Sequence, residues 1–360
     1  MKCELGNICS RLSSGKNISA KLIYPEGKYP VYGGNGLRGY TNDYNFEGEC
    51  AIIGRQGAFC GNVRYFKGTA YMTEHAIVAC ANENNSTLYL SYLLSTLQLG
   101  RLSGQSAQPG LSVKTLAKQI IDIPTLKIQN YVSSILRSLD DKIELNNKIN
   151  ENLEQQAKSL YTKIFLNNSE SEITLGTLSD IATITMGQSP NGNSYNEDAN
   201  GTVFYQGRAE FGFRFPTRRL FTTEPKRMAE AGDVLLSIRA PVGDLNVAYE
   251  KCCIGRGLGA IHSKNGNSSF VLYTMFALRP QLDVFNGEGT VFGSINRDAL
   301  NAMLIKIPSE EKIAQFEAAV RPMDEIIRKN YEENCCLEDL RNFMLPKLMS
   351  GEIDVSNILL

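Results

Sequence analysis

One duplication constrains this chain more than any other feature. Ile121-Asp122-Ile123-Pro124 returns as Ile305-Lys306-Ile307-Pro308, 184 residues later. The same offset carries Gly110-Leu111-Ser112 onto Ser294-Ile295-Asn296, Leu116 onto Leu300, Asp140 onto Asp324, Asn146 onto Asn330, Leu153 onto Leu337 and Lys163 onto Lys347. An offset kept over so many positions marks two copies of one structural unit. Nearer the start, Leu5-Gly6 matches Leu175-Gly176 at an offset of 170, which gives the second copy 14 extra residues in its first half. Between these anchors, Cys50 to Val63 resembles Asp233 to Val247: a short apolar strand, a basic residue in a Gly- or Pro-bearing turn, then another strand. The tails align better than the globular parts, so the copies share a frame and differ in their loops.

After each Ile-x-Ile-Pro the apolar period changes from two to seven. Val132, Leu139, Asn146, Leu153 and Leu160 form one heptad series, and Phe316, Met323, Asn330, Leu337 and Met344 form its counterpart. Both read as the a positions of a coiled coil, each with one Asn at the same place. A buried Asn there fixes register, because only a matching amide satisfies it; the alternative is a solvated Asn on an imperfect helix. A second apolar row holds Leu136, Ile143 and Ile164 in the first tail and Val320, Ile327 and Leu348 in the second. Two helices alone do not need so wide a stripe, so this row either meets helices of another protein or packs on the chain's own domains. Pro322 lacks the amide that the helical ladder needs, which predicts a kink or restart. Pro322 to Met349, like its equivalent Ser138 to Phe165, spans 28 residues, or about 42 Å at the helical rise. That is about one turn of B-DNA or slightly more, a suitable length for a rigid spacer between two readers on one duplex.

At 360 residues and 42% hydrophobic, the chain suits two domains plus connectors. Lys plus Arg (37) nearly cancels Asp plus Glu (38), which excludes a basic protein that coats nucleic acid and leaves only local patches for DNA contact. Nine cysteines and two histidines, His75 and His262, include no Cys-x-x-Cys. No metal site or other cofactor is expected, and an odd thiol count without a signal peptide points to the reducing cytoplasm. No apolar run is long enough to span a bilayer, so no membrane association is expected.

Sequence reading of DNA takes Arg, Gln and Asn for base edges, with Lys, Ser and Thr for phosphates. The first copy offers Lys16, Arg55, Gln56, Arg64, Gln105, Ser106 and Gln108. The second offers Gln188, Ser189, Arg208, Arg214, Arg218, Arg219, Arg239, Asn246, Arg256, Asn296 and Arg297. Each of these has a solvated-surface alternative. The run from Arg208 to Arg219 interleaves arginines with Phe211, Phe213 and Phe215, which also fits an ordinary strand with a buried Phe face. Gly34 to Gly39 matches Gly-x-Gly-x-x-Gly, but the turn-rich residues that follow do not open a helix, so the dinucleotide reading fails. His75 and His262 fall in comparable apolar strands with no nucleophile at a readable spacing, so they are expected at the core or its rim. No Walker motif and no amino-methyltransferase motif occurs, and no catalytic residue is expected.

These residues resemble the specificity subunit of type I restriction-modification systems, over essentially the whole chain. The resemblance rests on the duplication, on Tyr29-Pro30-Val31-Tyr32-Gly33-Gly34-Asn35-Gly36 with Ile53-Gly54-Arg55-Gln56-Gly57, on Gly232 to Arg239 and Gly255-Arg256-Gly257-Leu258, and on the Ile-x-Ile-Pro leads. It implies an α+β fold of two tandem α/β target recognition domains, each followed by a long helix, with the two helices paired as an antiparallel coiled coil. The expected divisions are recognition domains at 1–124 and 171–308 and helical spacers at 125–170 and 309–360. Each domain would read half of a bipartite double-stranded DNA target. The helical residues above, from Val132 to Met344, would pair and dock two adenine-specific methyltransferase subunits, and a restriction-translocase subunit can also join. The competing expectations are a stand-alone bipartite DNA-binding regulator and a cryptic nuclease or methyltransferase.

Overall fold

The computed structural model describes residues 1–103, 110–167, 174–287 and 293–355. The chain divides into two compact units, Met1–Ile143 with Cys335–Leu360, and Glu144–Asn334.

In the first unit β1 (Lys2–Glu4) leads into one helical turn, α1 (Leu5–Ile8), and β2 (Cys9–Ser14). Strands β3 (Tyr29–Gly33), β4 (Gly36–Thr41), β5 (Phe46–Gly54), β6 (Val63–Met72) and β7 (Ala76–Ala81) follow, then α2 (Thr87–Thr96), α3 (Val113–Ala117) and β8 (Ile120–Asp122). Six strands form one sheet in the order β2-β7-β5-β6-β3-β4, and β1 pairs antiparallel with β8. The run Cys50-Ala51-Ile52-Ile53 has no polar alternation because both faces of the sheet are covered. Ala51 and Ile53 join Tyr89, Leu90, Leu93 and Leu94 of α2, whereas Cys50 and Ile52 join Met72 and Val78 on the other side.

Helix α4 (Leu126–Tyr161) starts just past Pro124, which cannot extend the ladder of β8. The second unit opens with β9 (Thr174–Thr177), α5 (Leu178–Ile181) and β10 (Ala182–Met186). The short strands β11 (Tyr195–Asn196), β12 (Thr202–Tyr205), β13 (Phe221–Thr222) and β14 (Met228–Ala229) precede β15 (Val234–Ser237), β16 (Leu245–Val247), β17 (Cys252–Ile254) and β18 (Leu258–Ser263). Then come α6 (Ser268–Ala277), α7 (Arg279–Asp283), α8 (Arg297–Asn301), β19 (Leu304–Ile307) and α9 (Glu310–Ser350). The sheets are β10-β18-β15-β16 and β11-β13-β12-β17-β14, with β19 antiparallel to β9. As in β5, the residues of β15 alternate between two cores, Val234 and Leu236 in one and Leu235 in the other.

Equivalent backbone hydrogen bonds in the two copies refine the sequence alignment. Leu5 N donates to Gln119 O at 2.9 Å, and Leu178 N donates to Met303 O at 2.9 Å. Both leucines are fully buried. The equivalent of Leu5 is therefore Leu178, an offset of 173, and the second copy carries 11 extra residues at this point, not 14. The match of Leu5-Gly6 to Leu175-Gly176 is three residues out, because Leu175 lies on an exposed strand at 77% exposure. A two-residue identity cannot distinguish a core leucine from a surface one.

Within the second unit the helices run antiparallel, with Asn146 Nδ2 donating to Asn334 Oδ1 at 2.9 Å and Asn330 Nδ2 to Asn150 Oδ1 at 2.8 Å. Within the first, Arg341 Nη1 donates to Asp140 Oδ1 at 2.8 Å. Each heptad Asn does meet an amide, but not its counterpart in the other copy: the partners are displaced by one helical turn. Asn146 also donates to Glu333 Oε2 at 2.7 Å. Pro322 causes no restart, since α9 is continuous through it. Pro322 and Ala318 are exposed, so water can meet the carbonyl that loses its amide. Members of the second apolar row pack inward on the chain's own domains: Leu136 and Leu348 beside Val132 in the first core, and Val320 beside Phe316 in the second.

Candidate nucleic-acid interface

In the first unit β5 leaves its sheet at Gly54 through turns that pack backbone against backbone. A Cβ on Gly54 would lie 2.2 Å from Phe59 O, and one on Gly34 would lie 2.9 Å from His75 O. The glycines of the Gly-x-Gly-x-x-Gly match therefore serve close approach of turns, and Gly36 opens a strand, not a helix. Arg55 N donates to His75 O at 3.0 Å, and Leu111 N donates to Arg55 O at 2.8 Å. The Arg55 Nη1 donates to Glu74 O at 3.3 Å. Gln56 is exposed, and its Oε1 accepts from Nδ1 of His75 at 3.1 Å, while Nε2 of that ring lies 3.1 Å from Glu74 Oε1. Lys16 joins this end of the sheet, its amide donating to Met72 O at 2.9 Å. Arg64 stacks beside Gly36, and Arg38 beside Gly33. Arg38, Arg55 and Arg64 have no carboxylate in ion-pair distance among the described residues.

Arg38 was missed in the sequence because it sits inside the glycine motif. His75 was expected in an apolar strand, but it occupies the exposed turn before β7, while His262 lies in β18 with its ring exposed and Nδ1 2.6 Å from Asp233 Oδ1. Alternating apolar residues on both sides concealed the turn. Gln105, Ser106 and Gln108 lie outside the described residues.

The second unit repeats the device. Ile238 N donates to Gly257 O at 3.0 Å, Ile295 N donates to Ile238 O at 3.0 Å, and Arg239 bridges to Ser294. Gly187 admits the backbone of Gly255, whose oxygen would be 2.1 Å from an added Cβ. These turns bring together Gln188, Ser189, Arg239 and Arg256, with Arg256 N donating to Ser189 Oγ at 3.3 Å. Asn296 and Arg297 start α8 beside Ser294, but the Asn296 carbonyl oxygen is committed to capping Ala299 N at 2.8 Å. Ser112 caps α3 in the same way, accepting from Thr115 N at 3.0 Å. Arg239, Arg256 and Arg297 are exposed and without a carboxylate partner among the described residues.

Two expected DNA contacts are internal instead. Arg214 is 4% exposed, with Nη1 donating to Asp324 Oδ1 at 2.8 Å and Nη2 to Glu154 Oε2 at 3.0 Å. Burial works against its charge, but Tyr273, Asp324 and Glu154 outweigh that and raise its pKa above the ordinary arginine value. Asn246 is buried, donating to Gly212 O at 2.9 Å and accepting from Gly212 N at 3.2 Å. Neither side chain can reach a base edge. Arg208, Arg218 and Arg219 are exposed but paired with Asp244, Glu250 and Glu210. The run around Phe211, Phe213 and Phe215 is not a strand: Phe215 alone is buried, against Tyr249 and Tyr331.

The chain is thus two copies of one α+β unit, each ending a sheet strand in a turn cluster that carries arginines. A model of the type I restriction modification DNA specificity domain matches residues 1–155 and 170–329, and the chain belongs to that family. A Methanocaldococcus jannaschii chain provisionally described as the MjaX type I restriction enzyme specificity subunit is 29% identical over 322 residues, covering 82% of this chain and 76% of that one. The EcoprrI specificity subunit of Escherichia coli is 38% identical over 151 residues, 41% of this chain and 37% of that one. The crystal structure of the S subunit from M. genitalium shares the fold at a TM-score of 0.66 and 16% identity, over 97% of this chain and 95% of that one. No helix among the described residues is long and apolar enough to cross a membrane.

Proposed function

We propose that this chain reads a split double-stranded DNA site for a type I restriction-modification assembly in the cytoplasm, one half-site per unit, with α4 and α9 setting the gap. The observation that carries this reading is the turn cluster repeated at the end of β5 and β15. Both present arginines that no described carboxylate neutralises, Arg38, Arg55 and Arg64 in one unit and Arg239, Arg256 and Arg297 in the other. In a chain of near-zero net charge, such local excess is what attracts phosphate and leaves side chains free for base edges. Catalysis falls to partners: two adenine-specific methyltransferase subunits and, in a restricting complex, a translocase subunit. Since the second apolar row is buried within this chain, docking falls to the apolar helix residues that stay exposed, among them Leu145 at 53% and Phe343 at 61%. Mapping methylated adenines in cells that express the chain with its methyltransferase is expected to give one bipartite motif with a fixed gap. A contiguous motif would sink the two-reader arrangement. Purification distinguishes the stand-alone regulator, which would bind DNA without recovering a methyltransferase.

A further inference from the structure

Gln56 and Arg239 hold the same place in the two units. Each follows a residue whose backbone is held from both sides. The amide of Arg55 bonds His75 O at 3.0 Å and its carbonyl accepts from Leu111 N at 2.8 Å; in Ile238 the amide bonds Gly257 O at 3.0 Å and the carbonyl accepts from Ile295 N at 3.0 Å. The next residue then bridges to the segment before a capped helix, Gln56 to Gly110 and Arg239 to Ser294. Both side chains are exposed. The fold thus fixes the backbone of this position twice and leaves the side chain as the variable.

We infer that this position is a shared specificity determinant, reading an adenine through Gln56 in one half-site and a guanine through Arg239 in the other. The assignment rests on the DNA-reading function proposed above. A glutamine amide offers one donor and one acceptor, the pattern that matches N7 and N6 of adenine. The Gln56 Oε1 lies 3.1 Å from His75 Nδ1, which holds the side chain at the turn and leaves a second lone pair on that oxygen and both amide hydrogens for a ligand. A guanidinium offers two parallel donors, the pattern for O6 and N7 of guanine. Arg239 keeps both, whereas Arg208, Arg218 and Arg219 in the same unit are engaged by carboxylates.

The test is selection from a random duplex DNA library by the full-length chain assembled with its methyltransferase subunits, with the bound fraction sequenced at one salt concentration. Gln56→Arg is expected to change one position of one half-site from adenine to guanine, with roughly ten-fold to hundred-fold discrimination. Arg239→Gln makes the converse change in the other half-site. Gln56→Ala, a truncation at an exposed site that leaves the fold intact, is expected to relax that same position alone. A bipartite motif that stays unchanged in all three variants overturns this assignment and leaves the DNA-reading function standing. Equal weakening across all sequences, with a shallower salt dependence, also overturns it, because the residues would then contact phosphate. No enriched sequence with the unsubstituted assembly overturns the DNA-reading function and this assignment with it.

Discussion

The guanidinium of Arg214 closes a cluster whose carboxylate was visible in the sequence only as a repeat position. Asp324 accepts from Arg214 and, at 3.1 Å, from Tyr273; its counterpart Asp140 accepts from Arg341 at 2.8 Å and from Tyr92 at 2.5 Å. The tyrosine-aspartate contact is thus common to both copies, but the arginine comes from α9 in one and from the 208–219 run in the other. Arg214→Ala would leave largely buried Asp324 without a cation and Glu154 with Lys158 alone, and is expected to destabilise the second unit by about 3–5 kcal/mol. Urea denaturation checks this; a normal unfolding midpoint with altered DNA selectivity would return Arg214 to the DNA surface. The thiols give a second residue-scale expectation. Burial pushes Cys9 and Cys50 up to about 12, so at pH 8 these thiols stay protonated and unreactive. Iodoacetamide at that pH should label exposed Cys336 first in the native chain. Labelling of Cys9 or Cys50 at the same rate would contradict their burial.

At the scale of elements, the amides between α4 and α9 form a small ladder and not a single pair. Asn334 accepts from Asn146 and donates to Asn147 Oδ1 at 2.9 Å, so one side chain serves two. Asn334→Leu alone should cost about 1–3 kcal/mol, because it removes a partner from buried Asn146. Adding Asn146→Leu should recover most of that loss, since two apolar residues leave no buried polar group unmet. Equilibrium unfolding of both single variants and the double reads this; a double variant as unstable as the sum of the singles would rule out coupling. The glycine-packed turns belong to the same scale. Gly54→Ala would drive a methyl against Phe59 O, so it is expected to lose DNA binding in the first half-site through displacement of Arg55 and Gln56.

For the whole molecule, the helices are 36 and 41 residues long. Removing the facing heptads 144–150 and 330–336 shortens each by about 10 Å, or about three base pairs of duplex. Methylated-adenine mapping should show a shorter gap between two unchanged half-sites. An unchanged gap would mean that something other than helix length sets it.

The duplication, the helical tails and the Ile-x-Ile-Pro boundaries were legible in the sequence because each rests on local chemistry: a repeated apolar period and a proline that stops a strand. The exposure of Gln56, Arg239 and Arg256 was also legible, since turn residues between strands announce exposed positions. What only the tertiary structure decided was which partner each polar group finds. Arg214 and Asn246 read as surface residues by type, but carboxylates from both helices and the backbone of Gly212 enclose them. The one-turn shift in the Asn pairing and the true equivalence of Leu5 with Leu178 have the same origin. Both depend on contacts between segments more than a hundred residues apart, which local spacing does not encode.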